Sequence, residues 1–387
     1  MKKCSRLSAF IVALCVVAAC GNVKKTTNDK TTPVAVATTT DSTTAATLTA
    51  KNDSIAHLPQ VYQAARTIYT DLIHTKLVVR PDWDKSYLYG VETLTAKPHF
   101  YPSDSLVLDA RGMTINSVKM GDKTLTYTYQ NDVLRINLGK TYTRNEQYTI
   151  SIDYVSKPDE LKNTDGSAAI TSDKGLYFIN PHNEKGGYVP QMWTQGESQS
   201  NSVWFPTIDS PNMKSTEEMY ITVADKYKTL SNGRLVESKK NADGTRTDHW
   251  VQEQPHAPYL FMFFVGDFAE IKDSYTKKDG TKIDVNYFVE HKWEKQARKI
   301  FGETPEMIKF FSNLLGVEYQ WDKYDQVVVR EYVSGAMENT TATVFGDFVY
   351  KDDNELADGN DEAVIAHELF HHWFGDLVTT ESWSNLR

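Results

Sequence analysis

The sequence predicts an α+β, multidomain chain: a β-rich, sandwich-like N-terminal body, then a body in which helices and strands alternate. Three observations predict it. The chain has 387 residues, 40% of them hydrophobic and 12% aromatic, which supplies apolar surface for more than one core. Over roughly residues 76–270 the hydrophobic period is two, broken by Gly-Asp, Asn-Asp and Asn-Gly turn signals. After Phe268 the period lengthens to helical spacing.

From the N-terminus, Lys2, Lys3 and Arg6 precede an apolar run from Leu7 to Ala19 that is too short to span a bilayer. With Val17-Ala18-Ala19-Cys20, residues 1–19 resemble a bacterial lipoprotein signal peptide. The resemblance implies cleavage before Cys20 and lipidation of its sulfur. The protein is then expected to be exported and anchored to a lipid bilayer through acylated Cys20. Cys4, Cys15 and Cys20 are the only cysteines, so the exported body has no intrachain disulfide to hold it. Residues 20–55 are Thr-rich and lack aromatics, which predicts a disordered tether. Its r.m.s. span would be on the order of 30–35 Å.

The N-terminal domain is expected over 56–270. It opens with a short helix from about Ala56 to Ile73, where Leu58, Val61, Tyr62, Ala65, Ile68, Tyr69 and Leu72 recur at three- and four-residue spacing. Strands follow at Ser86 to Val91, Leu125 to Tyr129, Val133 to Leu138, Gln147 to Tyr154 and Met219 to Val223, each short and rich in β-branched or aromatic residues. The second domain, 271–387, begins with helical spacing from Glu294 to Leu315, where Pro305 marks a new helix start. A strand is expected at Asp325 to Val329 and a loop at Ser334-Gly335. The last helix should start near Asp361, a plausible N-cap, and end before Gly375. Its apolar positions Ile365, Ala366, Leu369, Phe370, Trp373 and Phe374 predict one buried face.

The net charge is −9, and it becomes −12 once the three leader cations are removed, which argues against nucleic acid as a partner. The chemistry lies in the last helix. His367-Glu368-Leu369-Phe370-His371 spells H-E-x-x-H, which puts two imidazoles on one helical face where both can reach one Zn²⁺, with Glu368 beside them. A catalytic zinc normally has three protein ligands, so two histidines leave the set incomplete. His372 points about 100° away around the helix and is not counted as a ligand. Trp373 and Phe374 read as core rather than substrate contacts, and Asp376 as a solvated acid at the helix end, the alternative being a support behind the metal ligands.

Thirty residues upstream lies Gly335-Ala336-Met337-Glu338-Asn339. Together with H-E-x-x-H it resembles the gluzincin aminopeptidases of the M1 class, and the resemblance extends to Gln195-Gly196-Glu197, to Ala257–Phe268 and to the run from His371 to Thr379. It implies an N-terminal saddle domain followed by the first part of a thermolysin-like α/β catalytic domain. It further implies one Zn²⁺ per chain on His367 and His371, with Glu368 as general base and then general acid. The substrates would be peptides with a free N-terminal amine, held by Glu197 and Glu338. Gln195, Ser334, Gly335, Ala336, Met337 and Asn339 complete the implied substrate-binding set, with a small Ser334 suggesting a roomy pocket for the first side chain. The family's third ligand is a glutamate separated from the second histidine by eighteen residues, which corresponds to position 390, beyond Arg387. The chain is accordingly expected to be a truncated piece that binds zinc poorly and is inactive as it stands. Two other readings stay open: an exported peptide-binding lipoprotein that no longer cleaves, and an epoxide-hydrolysing relative, which Ala336 and the leader disfavour.

Overall fold

The computed structural model describes residues 62–162 and 164–385. The leader, Cys20 and the tether lie outside them, as does the first part of the expected Ala56–Ile73 helix. No described helix is long and apolar enough to cross a membrane.

The described part of that helix is not helical. Residues 62–69 carry no regular secondary structure, and Thr70–Asp82 is a strand. The reason is tertiary. Leu72, Leu77 and Val79 are buried, and the strand pairs on both sides, antiparallel to Tyr87–Pro98 and parallel to Ser215–Ala224. Thr70, Ile73, Thr75, Val78 and Val79 are β-branched residues that suit such a site better than a helix.

These strands form the middle of an eight-stranded sheet. On one side of them lie Thr245–His256 and the edge strand Arg234–Lys240, and on the other Tyr148–Ser156, Thr114–Met120 and Lys123–Thr124. The expected period is visible in Tyr148–Ser156, where Tyr148, Ile150, Ile152 and Tyr154 are buried and alternate with more exposed neighbours. A three-stranded sheet formed by Ser103–Asp109, Val133–Tyr142 and Tyr127–Gln130 faces the same core. A four-stranded sheet contains Gln191–Thr194, which leads directly into Gln195-Gly196-Glu197.

The catalytic sheet has five strands in the order Phe268–Ile271, Tyr287–Glu290, Asp325–Val329, Ala342–Gly346 and Ala336–Met337. The strand Asp325–Val329 has the expected bounds, and all five of its residues are buried. Among the described residues, four α-helices accompany the sheet: α1 (Glu294–Phe301), α2 (Thr304–Leu315), α3 (Asp353–Asp358) and α4 (Glu362–His371). Pro305 lies in the first turn of α2, and Gly316 ends that helix at φ 66°. α3 was not anticipated; its capping box, in which Asp352 accepts from Asn354 and Glu355 N–H, was legible as an Asp-x-x-Glu spacing. Val327, Val329, Ala342 and Val344 pack into the same hydrophobic cluster as the N-terminal sheets, so the catalytic sheet rests on that core.

Candidate active site

Helix α4 presents the two histidines because its other face is anchored. Ile365, Leu369 and Trp373 are buried in the core of the catalytic body. Phe374 breaks the expected pattern: it is 50% exposed and lines the cleft, because the helix has already ended at His371. Asp361 precedes α4 but its side chain caps no helical N–H; it lies 2.8 Å from the Lys351 ammonium instead.

The Nε2 atoms of His367 and His371 are 3.1 Å apart. His371 Nδ1 is 2.9 Å from the Phe374 carbonyl, an acceptor only, so Nδ1 carries the proton and Nε2 its lone pair. Two lone pairs shared by one Zn²⁺ at about 2.0–2.1 Å in tetrahedral geometry lie roughly 3.3 Å apart, so the pair fits half of a zinc site. Among the described residues no third His, Cys, Asp or Glu joins them. Gly375, at φ 148°, lets the chain turn back over His371; a Cβ there would sit 3.1 Å from His371 Nδ1.

Gly335-Ala336-Met337-Glu338-Asn339 enters as the edge strand of the catalytic sheet, with Ala336 opposite Phe345 and Met337 opposite Val344. Among the described residues no strand pairs with its other edge, which can pair with an extended peptide. Nothing lies within 4 Å of a Cβ placed on Gly335, so the backbone there borders open space.

A cleft of about 600 Å³ joins Glu197, Ser334, Gly335, Ala336, Glu338, His367, Glu368 and His371. Gln195, Met337 and Asn339 do not line it. Gln195 is buried and accepts a 2.7 Å hydrogen bond from the Tyr332 hydroxyl, Met337 packs under Tyr259 and Leu260, and Asn339 donates to the Leu260 carbonyl at 3.3 Å. These three shape the walls from behind.

Burial, and then the charge of Glu338, pushes the Glu197 carboxyl up to about 7. Burial, followed by Glu338 and Glu197, pushes Glu368 up to about 8. Three carboxylates in one poorly solvated cleft repel one another, so the site is electrostatically suited to cations. His367 is shifted down, by burial and then by His371, which favours the neutral imidazole a metal requires.

Sequence reasoning missed several residues. Tyr259 lines the cleft with its hydroxyl 3.4 Å from both Glu338 Oε1 and the Gly375 carbonyl, and Trp383 packs edge-on against its ring. Asp376 is not solvated but wholly buried, and burial pushes its carboxyl well up. The turn it occupies folds inward, where Lys214 Nζ donates to the Asp376 and Leu377 carbonyls at 2.8 and 3.0 Å.

Comparison with known proteins follows the same two bodies. Residues 59–260 match the peptidase M1 N-terminal domain, and residues 300–387 match the peptidase family M1 domain. Endoplasmic reticulum aminopeptidase 1 of Mus musculus is 26% identical over 331 residues, 82% of this chain and 33% of its own. Aminopeptidase 2 of Candida albicans is 28% identical over 335 residues, 81% of this chain and 33% of its own. Leukotriene A-4 hydrolase of Xenopus laevis is 26% identical over 321 residues, 81% of this chain and 48% of its own. The structure of Legionella pneumophila aminopeptidase A in complex with aspartic acid superposes with a TM-score of 0.69 at 25% identity, covering 82% of this chain and 36% of that one. The chain thus spans about a third to a half of the length of these relatives.

Proposed function

This chain belongs to peptidase family M1, and from that membership we propose that the protein is a zinc-dependent aminopeptidase, removing residues from peptides that carry a free N-terminal amine. One observation supports this most strongly. Three distant segments bring Glu197, Glu338 and the α4 trio of His367, Glu368 and His371 to a single cleft.

The division of labour follows from the chemistry of each group. His367 and His371 would hold the ion, with a third ligand from outside the described residues. When bound, Zn²⁺ supplies Lewis acidity that acidifies water and polarises a carbonyl. Glu368 takes the proton from the attacking water and returns it to the leaving amine. The free edge of Ala336–Met337 pairs with the substrate backbone and aligns the scissile bond over α4. Glu197 and Glu338 receive the α-ammonium, whose charge relieves the repulsion between them. An acetylated N-terminus offers no such charge, so the cleft selects free amines.

Glu368→Gln in the full-length protein tests the reading. It keeps the shape of the cleft and removes the base, so kcat on aminoacyl 4-nitroanilides should fall by roughly 100- to 10,000-fold with KM little changed. Retained activity would remove Glu368 from the mechanism. The relative named leukotriene A-4 hydrolase keeps epoxide opening as a second reading. Epoxide turnover without aminoacyl hydrolysis would favour it. Membrane attachment through acylated Cys20 is a further proposal, tested by loss of labelled fatty acid from the protein on Cys20→Ala.

A further inference from the structure

We propose that His372 is a positioning residue, which ties the segment Ala336–Asn339, whose Ala336 and Glu338 line the cleft, to the backbone of the catalytic base Glu368. The inference rests on the aminopeptidase reading. His372 is 1% exposed and does not line the cleft. Its Nε2 lies 3.0 Å from the backbone N–H of Thr341, and its Nδ1 lies 3.3 Å from the carbonyl of Glu368. A backbone N–H can only donate, so Nε2 carries the lone pair. Nδ1 then carries the proton and donates to Glu368. One ring thus bridges two catalytic segments, and both ends are fixed by what each partner can do.

Thr341 is the reason the bridge matters. It is β-branched and sits at φ 65°, in the left-handed region such residues avoid. A conformation of this kind persists only where its surroundings over-determine it. Here the Thr341 carbonyl accepts from Lys323 Nζ at 2.8 Å, its hydroxyl accepts from Gly233 N–H at 2.7 Å, and its N–H is held by His372. The turn it closes carries Glu338 and Asn339 between the strands Ala336–Met337 and Ala342–Gly346, with Ala342 N–H donating to the Asn339 carbonyl at 2.8 Å. The position of Thr341 therefore sets where the amine anchor Glu338 stands relative to Glu368. His372 is itself held, its carbonyl accepting from Trp321 Nε1 at 2.9 Å and its ring lying against Tyr319 and Tyr324.

Three substitutions in the full-length protein separate positioning from bulk packing. Gln reaches the place of Nε2 with an acceptor, Asn reaches only the place of Nδ1, and Leu offers neither. With aminoacyl 4-nitroanilides, His372→Leu and His372→Asn should lose about tenfold or more in kcat/KM per folded chain, while His372→Gln stays within about threefold of wild type. Amide exchange of Thr341, read without zinc, should stay protected in His372→Gln and quicken by about tenfold or more in His372→Asn. Wild-type rates in His372→Asn overturn the proposal, as does a His372→Gln protein that is as impaired as His372→Asn while Thr341 stays protected. If His372→Leu does not fold, the Gln and Asn pair still decides. A wild-type protein inactive on every aminoacyl substrate would overturn the peptidase reading itself.

Discussion

Glu338→Gln removes one negative charge from the cleft and leaves its shape intact. Glu338 is a cause of the raised carboxyls at both Glu197 and Glu368, so it stands electrostatically between them. A hydrogen bond between an ammonium and a carboxylate contributes about 1.5–3 kcal/mol, so losing one of two anchors should lower kcat/KM by roughly 10- to 150-fold. If Glu197 and Glu338 form the anchor, the α-ammonium is held in both ground and transition states, so the loss should appear mainly in KM. A second effect has a definite sign. Glu197 must be ionised to hold an ammonium and Glu368 to take a proton, and burial and then Glu338 push them up to about 7 and about 8. With Glu338 neutral that repulsion is gone, so the acid limb of kcat/KM should move to lower pH. Initial rates on aminoacyl 4-nitroanilides between pH 5 and 9, with the full-length protein, measure both. An unchanged KM, or an acid limb displaced upward, would refute the two-carboxylate anchor.

Other outcomes follow from neighbouring features. Gly196→Ala would place a Cβ 2.1 Å from the Tyr259 carbonyl and 2.5 Å from Asn201 Nδ2, so it should destabilise by about 1–3 kcal/mol and raise KM by displacing Glu197; urea unfolding and steady-state kinetics read the two. Glu92 is fully buried and neither carboxylate oxygen has a partner, so burial holds its carboxyl well above the ordinary range. The folded state therefore keeps a proton that the unfolded chain releases above about pH 4.5, and wild-type stability falls as pH rises from there; urea midpoints of wild type and Glu92→Gln should converge at pH 4 and separate by pH 8 in favour of the variant. Ser334 borders the cleft, and Ser334→Trp should cut kcat/KM for large N-terminal residues about tenfold relative to alanine; an unchanged preference ratio would place the first side chain elsewhere.

Local signals made some elements legible before the structure. Helix α4 was readable because Ile365, Leu369 and Trp373 form a buried stripe, and Asp325–Val329 because a short apolar run between turns suits a buried strand. Thr70–Ile73 reads as the end of a helix because Leu72 satisfies a helical spacing and an alternating one equally well; the strand they open, Thr70–Asp82, pairs with Ser215–Ala224, more than 140 residues away in sequence, and that decides between them. Asp376 misled for a related reason. Nothing local shows that the turn after α4 folds inward onto Lys214, so a charged residue at a helix end reads as solvated. The motif placed Glu197, Glu338 and the histidines in the cleft. It did not reveal that Gln195, Met337 and Asn339 stand behind the wall.

Under the proposed mechanism Glu197 and Glu338 count from a substrate's amino end while Glu368 works over the two histidines. Its most direct test compares one peptide in two forms, free and N-acetylated, by following release of the first residue with the zinc-loaded full-length protein. The free peptide should be hydrolysed, and acetylation should lower kcat/KM by at least about 100-fold. Equal rates on both forms would contradict the mechanism.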